Sequence, residues 1–533
     1  MLLSTHESEM SCIKCCMILN KLSLLCLLSI EEKMLGSVEI VCGLAILAVL
    51  FYYYMTWKYD FWIKHGIPGP KPKLFFGTSK DLILARTTLG HYTKQVYDEF
   101  NGTPLIGLFM GRQPTLFLNS LDLIKDVLIK DFNKFSDRGF KYLQVEPLSQ
   151  NILNLEPAQW RPLRSKLSPV FSSGKLKDMY SFIVDCSTNV IKYLDRVVEK
   201  GDIVKVRNIT QKYTLDVIGN CGFGIETKVL ENEDSEFHKV GKRIFSTDLE
   251  NIARVRCKLF FPEFYNFLGH IVPEKKITGF FTKLVAETIE YRERNNIRRL
   301  DFINVLMEMK KNPEKIENMK LTNQFLTAQA FIFFVAGFKT SSATMANVLY
   351  ELACHQDIQD KVRNEIMKFY AEHGEEIKYE HISQYKYLDK VFKETLRLYP
   401  IAPVLFRRAI EDYTFHDTKF TIPKDMYVWI SIYALHRDPE YFPNPHIFDS
   451  ERFNEEAIAA RHSMCYLPFG DGPRNCIGER FSHFQSKLGM IKILRNYKMD
   501  VCEKTFIPYE FDLQASLMAP KEDIYLRITK LKK

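Results

Sequence analysis

Apolar positions recur with helical spacing over long stretches of this chain, near 154–200, 275–311, 322–370 and 383–399. A further apolar helical run extends from Phe481 to Leu494. Short runs near 103–118, near 402–432 and at the C-terminus instead read as strands. After residue 74 no repeat, low-complexity segment or second linker breaks the pattern. It predicts one large globular domain, 74–533, mainly α with minor β.

The N-terminal pattern is different. Val38 to Trp57 is apolar apart from Glu39 and about long enough to span a bilayer. Phe51, Tyr52, Tyr53, Tyr54 and Trp57 crowd one end, as in an interfacial aromatic belt. Lys58, Lys64, Lys71 and Lys73 follow the run, and Glu31 and Glu32 precede it. The positive-inside bias therefore predicts the large C-terminal part on the cytosolic side. The run is long and lacks a small-residue cleavage site, which argues against a cleaved signal peptide. Residues 1–33 read as an extension, 34–57 as a transmembrane signal anchor and 58–73 as a basic, proline-rich hinge. Within the hinge, Gly66-Ile67-Pro68-Gly69-Pro70-Lys71-Pro72 is stiff and helix-breaking. Translation from Met34 is a hypothesis that N-terminal sequencing of the natural protein tests; a longer natural N-terminus would overturn it.

Composition narrows the chemistry. The 533 residues are 46% hydrophobic, ample for a large core. The net charge of +8 is mild and spread out, with no basic, aromatic-interleaved block to form a nucleic-acid groove. Such charge reads as a solvated surface, or more sharply as a basic docking face for an acidic protein. Twelve cysteines in a chain this long do not make a small disulfide framework. Cys186, Cys221, Cys257, Cys354 and Cys502 read as buried thiols. Cys12, Cys15 and Cys16 lack a second cysteine or histidine pair to complete a metal cluster. No G-x-G-x-x-G opens a helix after a strand, and no Walker-type loop is present, so no nicotinamide or flavin site is evident.

Cys476 stands apart from the other thiols. It sits in Phe469-Gly470-Asp471-Gly472-Pro473-Arg474-Asn475-Cys476-Ile477-Gly478, a glycine-rich turn just before the apolar helical run. Gly472 and Gly478 are expected to permit unusual backbone angles and close approach to a flat cofactor. Backbone N–H groups near the sulfur would tune its charge. Arg474 could meet a carboxylate such as a haem propionate, and Phe469 could pack against the loop. A thiolate on haem iron pushes electron density onto the metal and favours O–O cleavage. Cys465 lacks the glycines and reads as structural.

Through this decapeptide the chain resembles the cytochrome P450 family of haem-thiolate monooxygenases, and the resemblance runs from the anchor to the C-terminal strand. It is similar to the microsomal group that includes insect detoxifying and vertebrate drug-oxidising enzymes. The resemblance implies the cytochrome P450 fold, haem as cofactor with Cys476 as its metal ligand, and dioxygen as co-substrate. It also implies electrons from NADPH through a separate reductase, with cytochrome b5 as an auxiliary donor, at the endoplasmic reticulum membrane. The activity implied is an oxidoreductase inserting one oxygen atom into a lipophilic small molecule, with a reduced flavoprotein as donor.

Other motifs follow in the family's order. Glu394-Thr395-Leu396-Arg397 matches its E-x-x-R helix, a spacing that puts both charges on one face. Phe448-Asp449-Ser450-Glu451-Arg452-Phe453 resembles its meander, in which Arg452 would complete a buried charge triad with Glu394 and Arg397. Ser450 stands where the family usually has proline. Trp160-Arg161-Pro162-Leu163-Arg164 matches W-x-x-x-R, and Trp160, Arg164, Arg138 and Arg407 resemble propionate-binding positions. Singly, each arginine reads as an ordinary surface charge. Arg161, Lys166 and Arg480 are expected on a basic face that docks the reductase.

Phe331 to Met345 resembles the helix on the oxygen side of the haem. Ala336, Gly337 and Thr340 are its catalytic positions. Gly337 is expected to leave room for dioxygen, and the Thr340 hydroxyl to hydrogen-bond it and pass a proton. The plain alternative is a threonine bonded back to its own helix. The residue before this threonine is usually acidic, but here it is Lys339. Either its amine points to solvent or to an acidic neighbour while water supplies protons, or proton delivery is impaired. Under the second reading Lys339→Glu raises product formed per electron; an unchanged ratio removes Lys339 from the mechanism.

By resemblance, Phe140, Phe331, Ala336, Thr340, Ala402, Leu405 and Leu517 line the substrate pocket. The aromatic stretch Phe260 to Leu268 either dips into the membrane at an access channel or packs in the core. Two rival functions remain: a same-fold enzyme that rearranges peroxides without external electrons, and a non-catalytic haem- or lipid-binding protein.

Overall fold

The computed structural model describes residues 39, 41–232, 235–271, 274–312, 319–416, 418–515 and 517–532. The expected extension 1–33, Met34, Val38 and the Cys12, Cys15 and Cys16 group lie outside the described residues.

The fold is mainly α with minor β. The helices that position the site are α1 (Pro157–Leu167), α2 (Val206–Ile218), α3 (Pro262–Ile271), α4 (Lys275–Arg294), α5 (Asn323–Cys354), α6 (Lys386–Leu398) and α7 (Glu479–Asn496). The expected stretch 154–200 is divided, because Ser168–Phe171, which contains Pro169, turns the chain after α1. Likewise 322–370 breaks at His355, whose backbone leaves the helical region. Val206–Ile218 was not anticipated.

Helix α5 begins where the Thr322 hydroxyl accepts the Phe325 N–H at 3.1 Å. It is apolar nearly all round, the signature of a buried helix. By length and composition it could cross a membrane, but it is a core helix, packed against α2, α4, α6 and α7. The shorter apolar helix Val41–Thr56 instead carries exposed Leu44, Leu47, Leu50 and Phe51.

Four strands, β1 (Leu105–Met110), β2 (Gln113–Leu118), β3 (Val404–Arg408) and β4 (Tyr427–Ser431), form a sheet in the order β1-β2-β4-β3. β2 runs parallel to β4, with Thr115 opposite Tyr427. β3 is antiparallel to β4, with Arg407 opposite Val428. A second sheet joins Ile203–Lys205, Tyr525–Lys530 and Tyr497–Asp500.

Two hydrophobic cores result. The larger surrounds α5, and the smaller backs the four-stranded sheet. The segment after the apolar N-terminal helix is seated on that sheet. Trp62 is buried, its indole N–H donates to the Leu108 carbonyl at 2.8 Å, and its ring occupies the space a Cβ at Gly107 would need. The Pro68 carbonyl accepts the Gly107 N–H at 2.8 Å.

Candidate functional site

The loop 469–478 crosses from one core to the other, with Leu467 in the sheet-side core and Phe481 in the α5 core. It is a tight turn in which the Phe469 carbonyl accepts the Cys476 N–H at 2.9 Å. Gly472 has φ +74°, and a Cβ there would lie 1.9 Å from the Leu128 carbonyl oxygen, so no side chain fits. Gly470, with φ +70°, shares the left-handed conformation and was not singled out from sequence. Gly478 differs from expectation: φ is −92°, an ordinary angle, and a Cβ there would meet only Phe171, at 4.0 Å. The Phe469 ring lies 5.0 Å from that of His483 at a tilt of 53°, and the His483 imidazole is pushed down to about 4 by burial, with Lys487 adding to the effect.

Cys476 is accessible, yet it lies deep, so its thiol opens onto an interior cleft rather than the outer surface. Burial pushes the thiol up. The Gly478 backbone N–H, Arg138 and Arg164 pull it down, and Glu479 opposes them. The thiol also precedes the N-terminus of α7, where the helix dipole favours negative charge.

Four guanidiniums converge on this loop. Arg164 donates to the Asn475 carbonyl at 3.1 Å and its side-chain oxygen at 2.8 Å. Arg138 donates to the Arg474 carbonyl at 2.7 Å. Arg474 is buried, donates to the carbonyls of Ser136 and Leu155, and lies 4.6 Å from the Trp160 ring centroid. Its amino groups therefore pin the loop to its neighbours, which departs from the expected propionate contact. Arg407 is 1% exposed, and among the described residues its guanidinium makes one hydrogen bond, to the Phe406 carbonyl, and leaves its Nε unpartnered. Burial and mutual repulsion hold these cations down, Arg138 at about 10 and Arg407 and Arg474 at about 9.

Among the described residues, none of the four forms an ion pair with a carboxylate. Asp137, whose charge is felt by Arg474, is engaged by Arg408 at 2.6 Å. Buried cations without counter-charge are costly. This donor set fits haem: a thiol to take the metal, and unneutralised guanidiniums to take two carboxylates.

On helix α5, Ala336 is exposed although it lies mid-helix in a core element, and Thr340, one turn on, shares its face. The Thr340 hydroxyl donates to the Ala336 carbonyl at 2.6 Å, the back-bonded geometry, and keeps its lone pairs free to accept. Gly337 departs from expectation. A Cβ there would lie 2.4 Å from Ile218 Cδ1, so the glycine admits close packing of α2. Phe331 also faces elsewhere, its ring 5.1 Å from Phe281 on α4. Ile332 shares the Ala336 face by its spacing of four and was missed, being one apolar residue among many.

The remaining pocket candidates divide. Phe140 packs edge-on to Phe406 at 5.5 Å, Leu405 lies beside Gly470, and Ala402 is exposed. Leu517 lines a separate cleft of about 160 Å³ together with Lys339 and Arg207. Lys339 is half-buried in that cleft and makes no ion pair among the described residues. Its ammonium sits 5.5 Å from the Phe245 ring centroid.

Behind the loop, Glu394 and Arg397 are fully buried and doubly hydrogen-bonded, both contacts at 2.7 Å. Arg452 lies 3.6 Å from Glu394, which also accepts the Asp449 N–H at 2.9 Å. Arg397 reaches the carbonyls of His436, Pro445 and Ile447. Ser450, in place of the usual proline, donates to the Tyr387 hydroxyl at 3.2 Å.

Elsewhere, Cys186, Cys221 and Cys465 are buried, but Cys257, Cys354 and Cys502 are only half-buried, Cys354 packing at the margin of the larger core. Phe264 and Phe267 on α3 are 56% and 64% exposed, so they are not core residues.

The family model Cytochrome P450 matches residues 67–527. The chain is 37% identical to Cytochrome P450 6A1 of Musca domestica over 498 residues, covering 92% of this chain and 98% of that protein. It is 39% identical to Probable cytochrome P450 6a21 of Drosophila melanogaster over 500 residues, covering 92% and 99%. Cytochrome P450 6a2 of Drosophila melanogaster is 37% identical over 507 residues, covering 92% and 98%.

Proposed function

The chain belongs to the cytochrome P450 family, and from that premise we propose that it is a microsomal monooxygenase acting on lipophilic small molecules. One oxygen atom of dioxygen would enter the substrate, with electrons from NADPH delivered by a separate reductase and cytochrome b5 as an auxiliary donor. Family membership brings the haem, the dioxygen and the oxidoreductase class; substrate and electron donor are our reading.

The observation that carries it is a deep, accessible thiol set among uncompensated guanidiniums, in a chain whose core helix α5 also presents an exposed alanine with a threonine one turn on. Cys476 would ligate the haem iron. Arg407 and Arg138 would meet the propionates, while Trp160, Arg164 and Arg474 would hold the ligand loop in register. Bound there, haem supplies the reductive activation of dioxygen. The Thr340 hydroxyl would accept a hydrogen bond from water on the Ala336 side and relay its proton. Glu394, Arg397 and Arg452 would serve as scaffold.

We assign residues 34–57 as the anchor, 58–73 as the hinge and 74–533 as the catalytic domain, facing the cytosol from the endoplasmic reticulum membrane. The exposed helix Val41–Thr56 and the exposed Phe264 and Phe267 support membrane contact. Arg161, Lys166 and Arg480 are exposed, which supports a basic docking face for an acidic reductase.

The carbon monoxide difference spectrum of the reduced holoprotein tests the ligand. A thiolate-type band lost in Cys476→His is expected, and a histidine-type band in the unaltered protein would sink the assignment. Oxidation that requires NADPH and reductase separates this reading from peroxide rearrangement, and oxygen uptake separates it from mere ligand binding.

A further inference from the structure

Two lysines line the cleft beside helix α5, and their surroundings are opposite. Lys521 is paired with Glu510 at 3.1 Å, which holds its ammonium charged. Lys339 is half-buried and makes no ion pair among the described residues, its ammonium lying against the Phe245 ring instead. The acids nearby are engaged elsewhere. Asp512, on the cleft, accepts the Gln514 N–H at 2.8 Å. Asp523 pairs with Lys205 at 3.0 Å and lies 3.8 Å from Arg207. Arg207, also on the cleft, donates to the Pro520 carbonyl at 3.3 Å and stands as a second cation near Lys339. The cleft measures about 160 Å³, and Ile244, Phe245, Ile252, Val255 and Leu517 give it an apolar wall.

An ammonium in this position is poorly solvated and close to another positive charge, and both conditions favour the uncharged amine. Burial is the larger cause and Arg207 adds to it, so the Lys339 amine is pushed down to about 8 against the weak pull of Asp523 and Asp512. A neutral amine carries a free lone pair and is a nucleophile, whereas a paired ammonium such as that of Lys521 is not. A lysine desolvated in an apolar pocket, or set beside a second cation, is thereby activated toward carbonyl carbon.

We propose that Lys339 is a covalent capture site for lipophilic aldehydes. The amine nitrogen adds to the carbonyl carbon, the carbonyl π pair moves to oxygen, and one proton passes from nitrogen to that oxygen to give a carbinolamine. Loss of the second nitrogen hydrogen with the hydroxyl, as one water, leaves a C=N bond between Lys339 Nζ and the former carbonyl carbon. Nothing is oxidised or reduced, so the step needs neither haem nor an electron donor and stands apart from the monooxygenase reading. The alkyl chain would lie along Phe245, Val255 and Leu517, and its burial selects an apolar aldehyde over a polar one. The bond reverses on hydrolysis, so occupancy of the cleft would follow the aldehyde concentration around the protein.

The test uses the full-length holoprotein in detergent micelles at neutral pH, treated with limiting hexanal and cyanoborohydride, which reduces the imine to a stable hexylamine. Peptide mass mapping over time then gives the labelling rate at each lysine. Lys339 is expected to gain a hexyl group about 10-fold or more faster than Lys521, although Lys521 is the more exposed of the two. Glycolaldehyde, which has no apolar chain, should lose most of that preference. Lys339→Arg should abolish the fast site without changing the rate at Lys521, with haem content confirming the fold. Equal rates at Lys339 and Lys521 in the unaltered protein, or the same preference with glycolaldehyde as with hexanal, would overturn the proposal.

Discussion

Thr340 donates its hydroxyl proton to its own helix, so toward the Ala336 side it works as an acceptor. Thr340→Ala removes that acceptor while leaving the helix intact. Product formed per NADPH consumed should fall by about 10-fold or more, with peroxide accounting for the difference, whereas Thr340→Ser should keep most of the coupling. Simultaneous measurement of NADPH, peroxide and product checks this, and an unchanged ratio in Thr340→Ala would remove the hydroxyl from proton handling. Gly472 makes a second prediction at this scale. Its φ is +74°, and any Cβ would stand 1.9 Å from the Leu128 carbonyl oxygen, so Gly472→Ala must shift the loop or Leu128. Haem content after purification should drop severely, and full retention would show that the loop tolerates the shift.

Between elements, one fully buried and one half-buried charge contact hold the scaffold behind the loop. Glu394→Gln breaks the pair within α6 and leaves Arg397 without its counter-charge, at a cost of about 3–5 kcal/mol. Urea unfolding of the holoprotein should show it as a lower midpoint. Asp389 on α6 joins α7 through Lys487. Burial alone would push its carboxyl up, but Lys487 and Lys393 outweigh that and hold it at about 2. A folded value below the unfolded one stabilises above about pH 4, and that contribution disappears as pH falls from 4 toward 2. Asp389→Asn should therefore cost ~2 kcal/mol at pH 7 and nothing near pH 2. A difference independent of pH would mean that the charge is not what matters.

Much at this scale was legible in the sequence. The E-x-x-R spacing, the turn around Cys476 and the long α5 all follow from local rules. The roles of Gly337 and Phe331 did not, because they depend on which neighbour each face meets. Ile218 and Phe281 are distant in sequence, and helical spacing fixes a face without naming its partner. The same reason hid the splitting of Leu517 and Lys339 from the other pocket candidates.

For the molecule as a whole, the smaller core reaches back toward the N-terminus. Trp62 lies within the expected hinge yet packs beneath the sheet, with its N–H on Leu108. Trp62→Ala should destabilise the fold by about 3–5 kcal/mol. Truncation just before residue 58 should be tolerated and truncation past Trp62 should not, as thermal unfolding of the two shortened chains would reveal. The mainly α architecture was readable from periodicity, but the seating of the hinge was not, since proline-rich segments carry no signal for what they lie against.

The crowded guanidiniums around the Cys476 loop also bear on how the molecule is assembled. Arg407 and Arg474 are repelled by Arg138, so the haem-free fold would gain from a small anion bound among them. Buffer composition then becomes a variable of folding yield. Haem-free protein should melt at a higher temperature in phosphate than in chloride of equal ionic strength, and Arg407→Leu should narrow that gap.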